Sequence, residues 1–180
     1  MNVYDFKQIK DSSIDWNQFK EKTVLITGAN GILPAYMVES LLMINNTLLK
    51  DAPCKVIGLC RSKHNAQQRF KDYLSDKNLK IIYQDVSNEI KIKEKIDFII
   101  HAASPASPKH YNTNVKNVIL PNVLGTINTL ELAKDNNVNG YLFLSSVDVY
   151  GQIDDGNIFT ETEYGFLDPT SVRSCYAESK

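Results

Sequence analysis

The 180-residue sequence lacks several features that mark other classes of protein. Its only cysteines are Cys54, Cys60 and Cys175, and they form no CxxC pair, so neither a disulfide framework nor a zinc site is expected. No apolar run is long enough to cross a bilayer, and the N-terminus lacks a basic segment followed by an apolar stretch. These absences predict a cytoplasmic protein that is neither exported nor inserted in a membrane.

The sequence also lacks an excess of charge of either sign. Its 20 lysines and arginines nearly balance 21 aspartates and glutamates, which leaves no electrostatic signature for nucleic acid or an anionic membrane. The histidines, His64, His101 and His110, do not have the spacing of metal ligands, so no metal site is predicted. Small molecules are therefore the expected partners.

What the sequence does contain, from Thr23 onward, is an alternation of short β-branched runs with longer helical patterns. This alternation predicts an α/β fold with a Rossmann-like doubly wound parallel sheet. Residues 1–22 are predicted to form a helical lead-in, in which Trp16 is a packing anchor rather than a ligand-stacking residue. Strands are predicted at Thr23–Thr27, Lys55–Cys60, Leu79–Gln84, Asp97–Ala102 and Tyr141–Ser145, and helices at Ala35–Leu49, Asn65–Leu74, Ser87–Lys95 and Val115–Asn136.

The segment after the first predicted strand, TGANGILP, is typical of a phosphate-binding loop. Gly28 permits a tight turn, and Gly31 lets the backbone approach a pyrophosphate at the opening of the next helix. Pro34 replaces the third glycine of the usual pattern, and proline is tolerated in a first helical turn. The sequence therefore predicts that residues 23–180 form an NAD(P)-binding domain, in which the loop residues Gly28, Asn30, Gly31, Ile32 and Leu33 contact the cofactor.

The ends of the second and third strands bear on the choice between NAD and NADP. The second strand ends at Cys60-Arg61-Ser62, without the carboxylate that NAD-selective folds use to bind the ribose 2′-hydroxyl. Arg61 is either a ligand of an NADP 2′-phosphate or a solvated surface residue. Asp85 and Val86, after the third strand, either meet the adenine or begin the next helix. The sequence alone is therefore compatible with either NAD or NADP.

The last five residues place a phenol and an ammonium on one face of a helix. Tyr176 and Lys180 are four residues apart, and a nearby cation favours the phenolate form that can act as a base. The fifth predicted strand ends at Ser145-Ser146-Val147-Asp148, at the sheet edge where open α/β folds bind ligands. These residues are expected to face one crevice.

The motifs TGANG, HAAS, NVLGT, SSVDVYG and YAESK, in this order and spacing, resemble the extended short-chain dehydrogenase/reductase family of nucleotide-sugar epimerases, dehydratases and decarboxylases. Within it, the segments at 101–111, 122–133 and 163–180 are most similar to UDP-glucuronate decarboxylases. The resemblance implies a dimer in the full-length form. It also implies a substrate-binding region beyond Lys180, so that residues 23–180 would be an incomplete domain and inactive alone.

The resemblance assigns a role to each candidate site residue. Tyr176 would be the base that deprotonates a sugar hydroxyl, Lys180 would tune it and hold the nicotinamide ribose, and Ser146 would hydrogen-bond the same hydroxyl. Asp148 occupies the place of a catalytic glutamate with one methylene less. Cofactor contacts are implied at Ala102, Ala103 and Ser104, and contacts to the sugar diphosphate at Ser104, Ser107 and Tyr111.

The reaction implied by the resemblance passes through a 4-keto sugar. Hydride moves from the sugar C4 to the nicotinamide and later returns. A 4,6-dehydratase uses two adjacent carboxylates after the strand, and Val147 stands where one of them would be. Decarboxylation is therefore the first hypothesis for the reaction, and epimerisation is the second. A non-catalytic NAD(P)-binding scaffold is the alternative that is not an enzyme.

Overall fold

A computed structural model describes residues 3–105, 107, 111, 113–152 and 160–180. Its centre is a five-stranded sheet in which every neighbouring pair is parallel, with the order β3-β2-β1-β4-β5. This confirms the predicted Rossmann-like doubly wound sheet. The strands are β1 (Thr23–Thr27), β2 (Lys55–Cys60), β3 (Leu79–Tyr83), β4 (Phe98–His101) and β5 (Gly140–Phe143).

Helices cover the sheet and connect its strands. They are α1 (Val3–Lys10), α2 (Ile32–Asn45), α3 (Lys63–Arg69), α4 (Val115–Asn136) and α5 (Ser174–Ser179), with short 3-10 helices at Trp16–Phe19 and Val147–Tyr150. The predicted bounds of α4 are those observed, whereas α2 and α3 begin and end earlier than predicted. None of the helices in the described ranges is long and apolar enough to span a bilayer.

The helix predicted over Ser87–Lys95 is wrong. After β3 the chain makes a turn and then runs on without regular structure to β4. The isoleucines of this stretch lie an even number of residues apart, which suits one face of an extended chain. Ile90 and Ile96 are buried in one core cluster, and Ile92 packs against it. An extended segment that buries these isoleucines gains stability from packing. A lysine-rich helix here would have only its intrinsic helix propensity, which contributes less.

Two core layers hold the sheet, one on each face. Val24 and Ile26 of β1 face the cluster that contains α2, and Leu25 faces the cluster that contains Leu132 of α4. This alternation follows from the two-residue period of a strand. β1 is buried along its whole length, which is expected of the central strand of a parallel sheet.

The N-terminal lead-in packs against the α2 side of the sheet. Trp16 is buried in that core cluster, 6.0 Å from Phe19 between ring centroids, and Phe19 in turn lies 5.2 Å from Phe98 of β4. The packing interpretation of Trp16 is therefore confirmed. The Tyr36 hydroxyl of α2 donates to Asp5 of α1 at 3.2 Å, which joins the two helices.

The strand order places the carboxyl ends of β1 and β4 next to each other. β1 pairs with β2 on one side and with β4 on the other, so the chain reverses its direction of winding at β1. Open parallel sheets bind ligands at such a switch point, outside the carboxyl ends of the strands. The motifs TGANG and HAAS begin at the last residues of β1 and β4, at this edge.

Candidate active site

The backbone of the loop between β1 and α2 lies close to the backbone of the segment that follows β4. Gly28 has a φ of +63°, and a Cβ atom there would lie 2.8 Å from the Cα atom of Ala103. Gly31 is the N-cap of α2 and offers no side-chain cap, while its amide donates to the Gly28 carbonyl at 2.8 Å. Pro34 lies in the first turn of α2, where a proline is tolerated. The opening of α2 is thus available to an anion.

A cavity of about 500 Å³ extends from this loop along the edge of the sheet. Every residue that the sequence predicted as a cofactor contact lines it. They are Gly28, Asn30, Gly31, Ile32, Leu33, Arg61, Asp85, Val86, Ala102, Ala103, Ser104, Tyr176 and Lys180. The structure therefore brings the phosphate loop, the ends of β2 to β4 and the end of α5 to one continuous space.

A buried network fastens the wall of this cavity between β1 and β4. The Thr27 hydroxyl oxygen accepts the amide N–H groups of Ala102 and Ala103, each at 3.1 Å, and lies 2.7 Å from Nδ1 of His101. Because that oxygen already accepts twice, its own hydrogen is assigned to Nδ1 of a neutral imidazole. Burial, followed by the charge of Lys180, lowers the pKa of His101 to about 4.

Lys180 reaches across the other end of the cavity. Its ammonium donates to the Leu144 carbonyl at 2.6 Å and lies 5.0 Å from the ring centroid of Phe143 and 6.0 Å from that of Tyr176. Burial lowers the pKa of Lys180 to about 8. The ammonium thus lies over the tyrosine ring as the helix spacing predicts, with the Leu144 carbonyl as its hydrogen-bond acceptor.

A second cavity, of about 360 Å³, opens on the far side of Tyr176. Tyr111 stacks on Tyr176 there, with ring centroids 4.6 Å apart and an interplanar angle of 14°. Burial first, and then the neighbouring Tyr176 and Asp148, raise the pKa of Tyr111 to about 12, so this phenol stays protonated. Asp148 and Arg173 also line the second cavity. Tyr176 alone belongs to both cavities among the described residues.

Comparison with known proteins agrees with this arrangement. The sequence model of the NAD dependent epimerase/dehydratase family matches residues 24–180. The chain belongs to this family. A nicotinamide dinucleotide as cofactor and the resemblance to extended short-chain dehydrogenases/reductases are thereby confirmed.

Individual relatives show how this family member compares with longer proteins. UDP-glucuronic acid decarboxylase 2 of Arabidopsis thaliana is 34% identical over 160 residues, which cover 87% of this chain and 33% of that protein. DesIV, a dTDP-glucose 4,6-dehydratase from Streptomyces venezuelae with NAD bound, has a TM-score of 0.70 and 26% identity over 88% of this chain and 48% of its own. Gre2 from Candida albicans, solved with NADPH, has a TM-score of 0.67 and 26% identity over 88% of this chain and 49% of its own.

Two of the catalytic candidates of this epimerase/dehydratase family member form a pair of their own. The Ser146 hydroxyl donates to Asp148 Oδ2 at 3.0 Å and accepts the Asp148 amide N–H at 3.2 Å. Ser146 does not line either cavity in the described part of the chain, whereas the neighbouring Ser145 lines the cofactor cavity. The pair holds the carboxylate of Asp148 at the wall of the second cavity.

The predicted substrate contacts are divided between the two cavities. Ser104 lines the cofactor cavity, and its hydroxyl is buried without a hydrogen-bond partner among the described residues. Tyr111 lines the second cavity. Ser107 is exposed and lies in neither cavity as far as the chain is described.

Several lining residues were not predicted from the sequence. Arg173 is the clearest, and its position three residues before Tyr176 on the same helical face could have indicated it. Others lie outside the quoted motifs: Leu59, Gln84, Pro121 and Leu144.

The described histidines of this family member lie in different environments. His101 is buried against Thr27, whereas His64 is exposed at the start of α3. His110 lies outside the described residues. Among those that are described, no group of three histidine, cysteine or acidic side chains could hold a metal ion.

Proposed function

We propose that the protein modifies a nucleotide sugar through a 4-keto intermediate, with decarboxylation of UDP-glucuronate as the leading reaction. The observation that carries the proposal is the position of Tyr176, which lines the cofactor cavity on one side and the second cavity on the other. A phenol at that junction can take the proton of a sugar hydroxyl while the adjacent carbon faces the cofactor. UDP-glucuronic acid decarboxylases, at 34% and 33% identity, support this choice of substrate.

The residues around the cofactor cavity fit a nicotinamide dinucleotide. The unpaired buried hydroxyl of Ser104 gains a partner when a polar ligand enters, and the uncapped opening of α2 suits a pyrophosphate. Lys180 would hold the nicotinamide ribose beside Tyr176. When bound, NAD or NADP accepts a hydride from C4 of the sugar and later returns it.

The side chains have separable tasks in this reaction. Tyr176 removes the C4 hydroxyl proton, and the ammonium of Lys180 above its ring stabilises the resulting negative charge. In the 4-keto acid, the electrons of the bond to the carboxylate carbon move toward the C4 oxygen as carbon dioxide leaves. Protonated Tyr176 then donates a hydrogen bond to that oxygen. C5 takes up a proton from solvent, which restores the C4 carbonyl to which the hydride would return.

The second cavity would hold the sugar. Tyr111, which stays protonated, can donate to a hydroxyl or phosphate oxygen, and Arg173 adds a positive charge for an anionic substrate. Ser104 and Ser107 are proposed contacts to the sugar diphosphate.

The chain is shorter than the relatives that it matches. The chain spans about a third of the length of UDP-glucuronic acid decarboxylase 2, the Arabidopsis relative. In the proposed enzyme, residues 1–22 form a lead-in and residues 23–180 form the NAD(P)-binding domain.

Epimerisation at C4 is the second candidate. The Asp148 carboxylate is hydrogen-bonded to Ser146, and its neighbour Val147 is exposed and apolar, so the strand end offers a single carboxylate. Epimerisation needs no acid to expel a leaving group, and this arrangement would suffice for it.

Mass spectrometry of UDP-glucuronate after incubation with the full-length protein and NAD or NADP tests the proposal. We expect a product lighter by carbon dioxide, and a rate at least about a hundredfold lower for Tyr176→Phe. Tyr164→Phe, at a tyrosine that is 89% exposed, is the matched control and should keep the wild-type rate. An unchanged mass with C4 inverted in the NMR spectrum of the product would favour the epimerase, and cofactor binding without any reaction would favour a scaffold.

A further inference from the structure

The strand order fixes which end of the cofactor cavity meets the adenosine. Arg61 follows β2, and Lys180 binds the carbonyl of Leu144, just beyond β5, three strand positions away. At about 4.8 Å per strand, these positions are separated by about 14 Å. The phosphate loop after β1 lies between them. A dinucleotide with its nicotinamide beside Lys180 therefore extends its adenosine ribose toward the end of β2.

Arg61 supplies a positive charge at the end of β2, and Asp85, which follows β3, is its ion-pair partner in the cavity lining. Three charged residues line the cavity among those described, namely Arg61, Asp85 and Lys180. NAD-selective sites place a carboxylate after this strand, where it accepts hydrogen bonds from the ribose hydroxyls and repels a phosphate. Here that place is taken by Arg61, because Cys60 is fully buried and Ser62 caps α3 through the Asn65 amide.

Arg61 is held over the cavity while its donors stay available to a ligand. Its Nη1 atom lies 4.0 Å from Asp85 Oδ2, a distance that suits an ion pair and is too long for a hydrogen bond. The Arg61 side chain is 63% exposed. Asp85 is itself fixed, because its Oδ1 atom accepts the Ser87 amide N–H at 2.9 Å. The ion pair thus orients the guanidinium without covering it.

A second cation lies beside the end of the neighbouring strand β3. The Lys63 ammonium lies 5.8 Å from the ring centroid of Tyr83, at the end of β3. A 2′-phosphate is a dianion with three acceptor oxygens, and a guanidinium matches it with paired N–H donors. The ribose 2′-hydroxyl of NAD could use neither the charge nor the paired geometry.

We propose that this site selects NADP(H) over NAD(H), and that Arg61 is the residue that determines the selection by binding the 2′-phosphate. The inference rests on the proposed function only in using the same cofactor cavity. It departs from the family description, which names NAD. The hydride returns to the sugar within one catalytic cycle, so either dinucleotide serves the chemistry, and the choice depends on binding alone.

Fluorescence titration of the full-length protein with NADPH and with NADH tests the inference without any turnover. We expect the wild type to bind NADPH at least about tenfold more tightly than NADH. Arg61→Gln should bring the ratio of the two affinities close to one, and Arg61→Asp should reverse it. Lys71→Gln, at an exposed lysine that does not line the cavity, is the matched control and should keep the wild-type ratio.

The outcomes separate this inference from the proposed function. NADH binding as tightly as NADPH in the wild type would overturn the inference and leave the proposed reaction intact. A wild-type preference for NADPH that survives in Arg61→Gln would also overturn it, because another group would then bind the phosphate. If neither dinucleotide binds to the folded protein, the cofactor site, the proposed function and this inference all fail together.

Discussion

The polar groups at the two ends of the cofactor cavity differ in how completely they are hydrogen-bonded. At the β1–β4 end, one hydroxyl, that of Thr27, satisfies two amides and the imidazole of His101. At the α5 end, the Lys180 ammonium is partly dehydrated and donates to the Leu144 carbonyl.

This difference separates groups that stabilise the fold from groups that await a ligand. A fully satisfied buried network rigidifies a structure, whereas a dehydrated, partly satisfied group costs free energy until something compensates it. The Thr27 network at the β1–β4 end is thus organised in advance, whereas Ser104 beside it and Lys180 at the α5 end are polar groups whose cost a bound ligand could offset. Substitutions at the first end should therefore damage stability, and substitutions at the second should damage binding.

The largest loss of stability is expected from Gly28→Ala. The left-handed backbone costs about 1–2 kcal/mol for a residue with a Cβ atom, and the contact of 2.8 Å with the Ala103 backbone adds an overpacking cost. We expect the free energy of unfolding to fall by about 3 kcal/mol in denaturant titration.

Gly140→Ala is the control for that substitution. Its φ is not in the left-handed region, and the nearest atom to a new Cβ would be Cδ1 of the Phe98 side chain at 3.3 Å, which can shift. Equal losses for the two variants would show that the loop after β1 is less constrained than its geometry indicates.

Thr27→Val should cost about 2 kcal/mol, although the side chain keeps its volume. The substitution leaves two amides and one ring nitrogen without their shared partner in a buried place. Thr47→Val removes a hydroxyl that bonds only to carbonyls of its own helix end, and it should change the free energy of unfolding by less than about 0.5 kcal/mol. A small loss at Thr27 would contradict the idea of an end organised in advance.

Some parts of the cofactor cavity could be predicted from the sequence and others could not. The phosphate loop follows from local geometry, since glycines after a buried strand and before a helix leave few alternatives, and β1 and β2 have their predicted bounds. The stacking of Tyr111 on Tyr176 depends on how the chain before α4 meets α5. No spacing in the sequence specifies that meeting. The false helix at Ser87–Lys95 failed for the same reason, because burial of its isoleucines against the sheet decided its conformation.

His101 should make the protein sensitive to acid in a defined window. Its folded pKa of about 4 lies below the unfolded value of 6.5, so the unfolded state binds more protons between those values. Its contribution is fully present above pH 6.5 and is lost as pH falls toward 4. The free energy of unfolding of His101→Asn, measured over this range, should fall less steeply than that of the wild type. Parallel curves would mean that His101 is not buried neutral.

Lys180→Met should have the smallest effect on stability and the opposite sign. Burial lowers the pKa of Lys180 from 10.5 to about 8, so the charged form is disfavoured in the folded state at pH 7. Replacing the ammonium by an apolar side chain of similar length should raise the free energy of unfolding there, by at most about 1 kcal/mol because the site is partly solvated and the Leu144 carbonyl loses its donor.

The pH dependence of that difference gives the sharper measurement. Between pH 8 and 10.5 the unfolded state holds the lysine proton that the folded state has lost, so the stability of the wild type rises with pH relative to Lys180→Met. The gap between the two proteins should therefore close over this range in parallel denaturant titrations. A wild type that is more stable than the variant at pH 7, with a gap that does not change, would show that Lys180 stabilises the fold as Thr27 does, and the two ends of the cavity would then be alike.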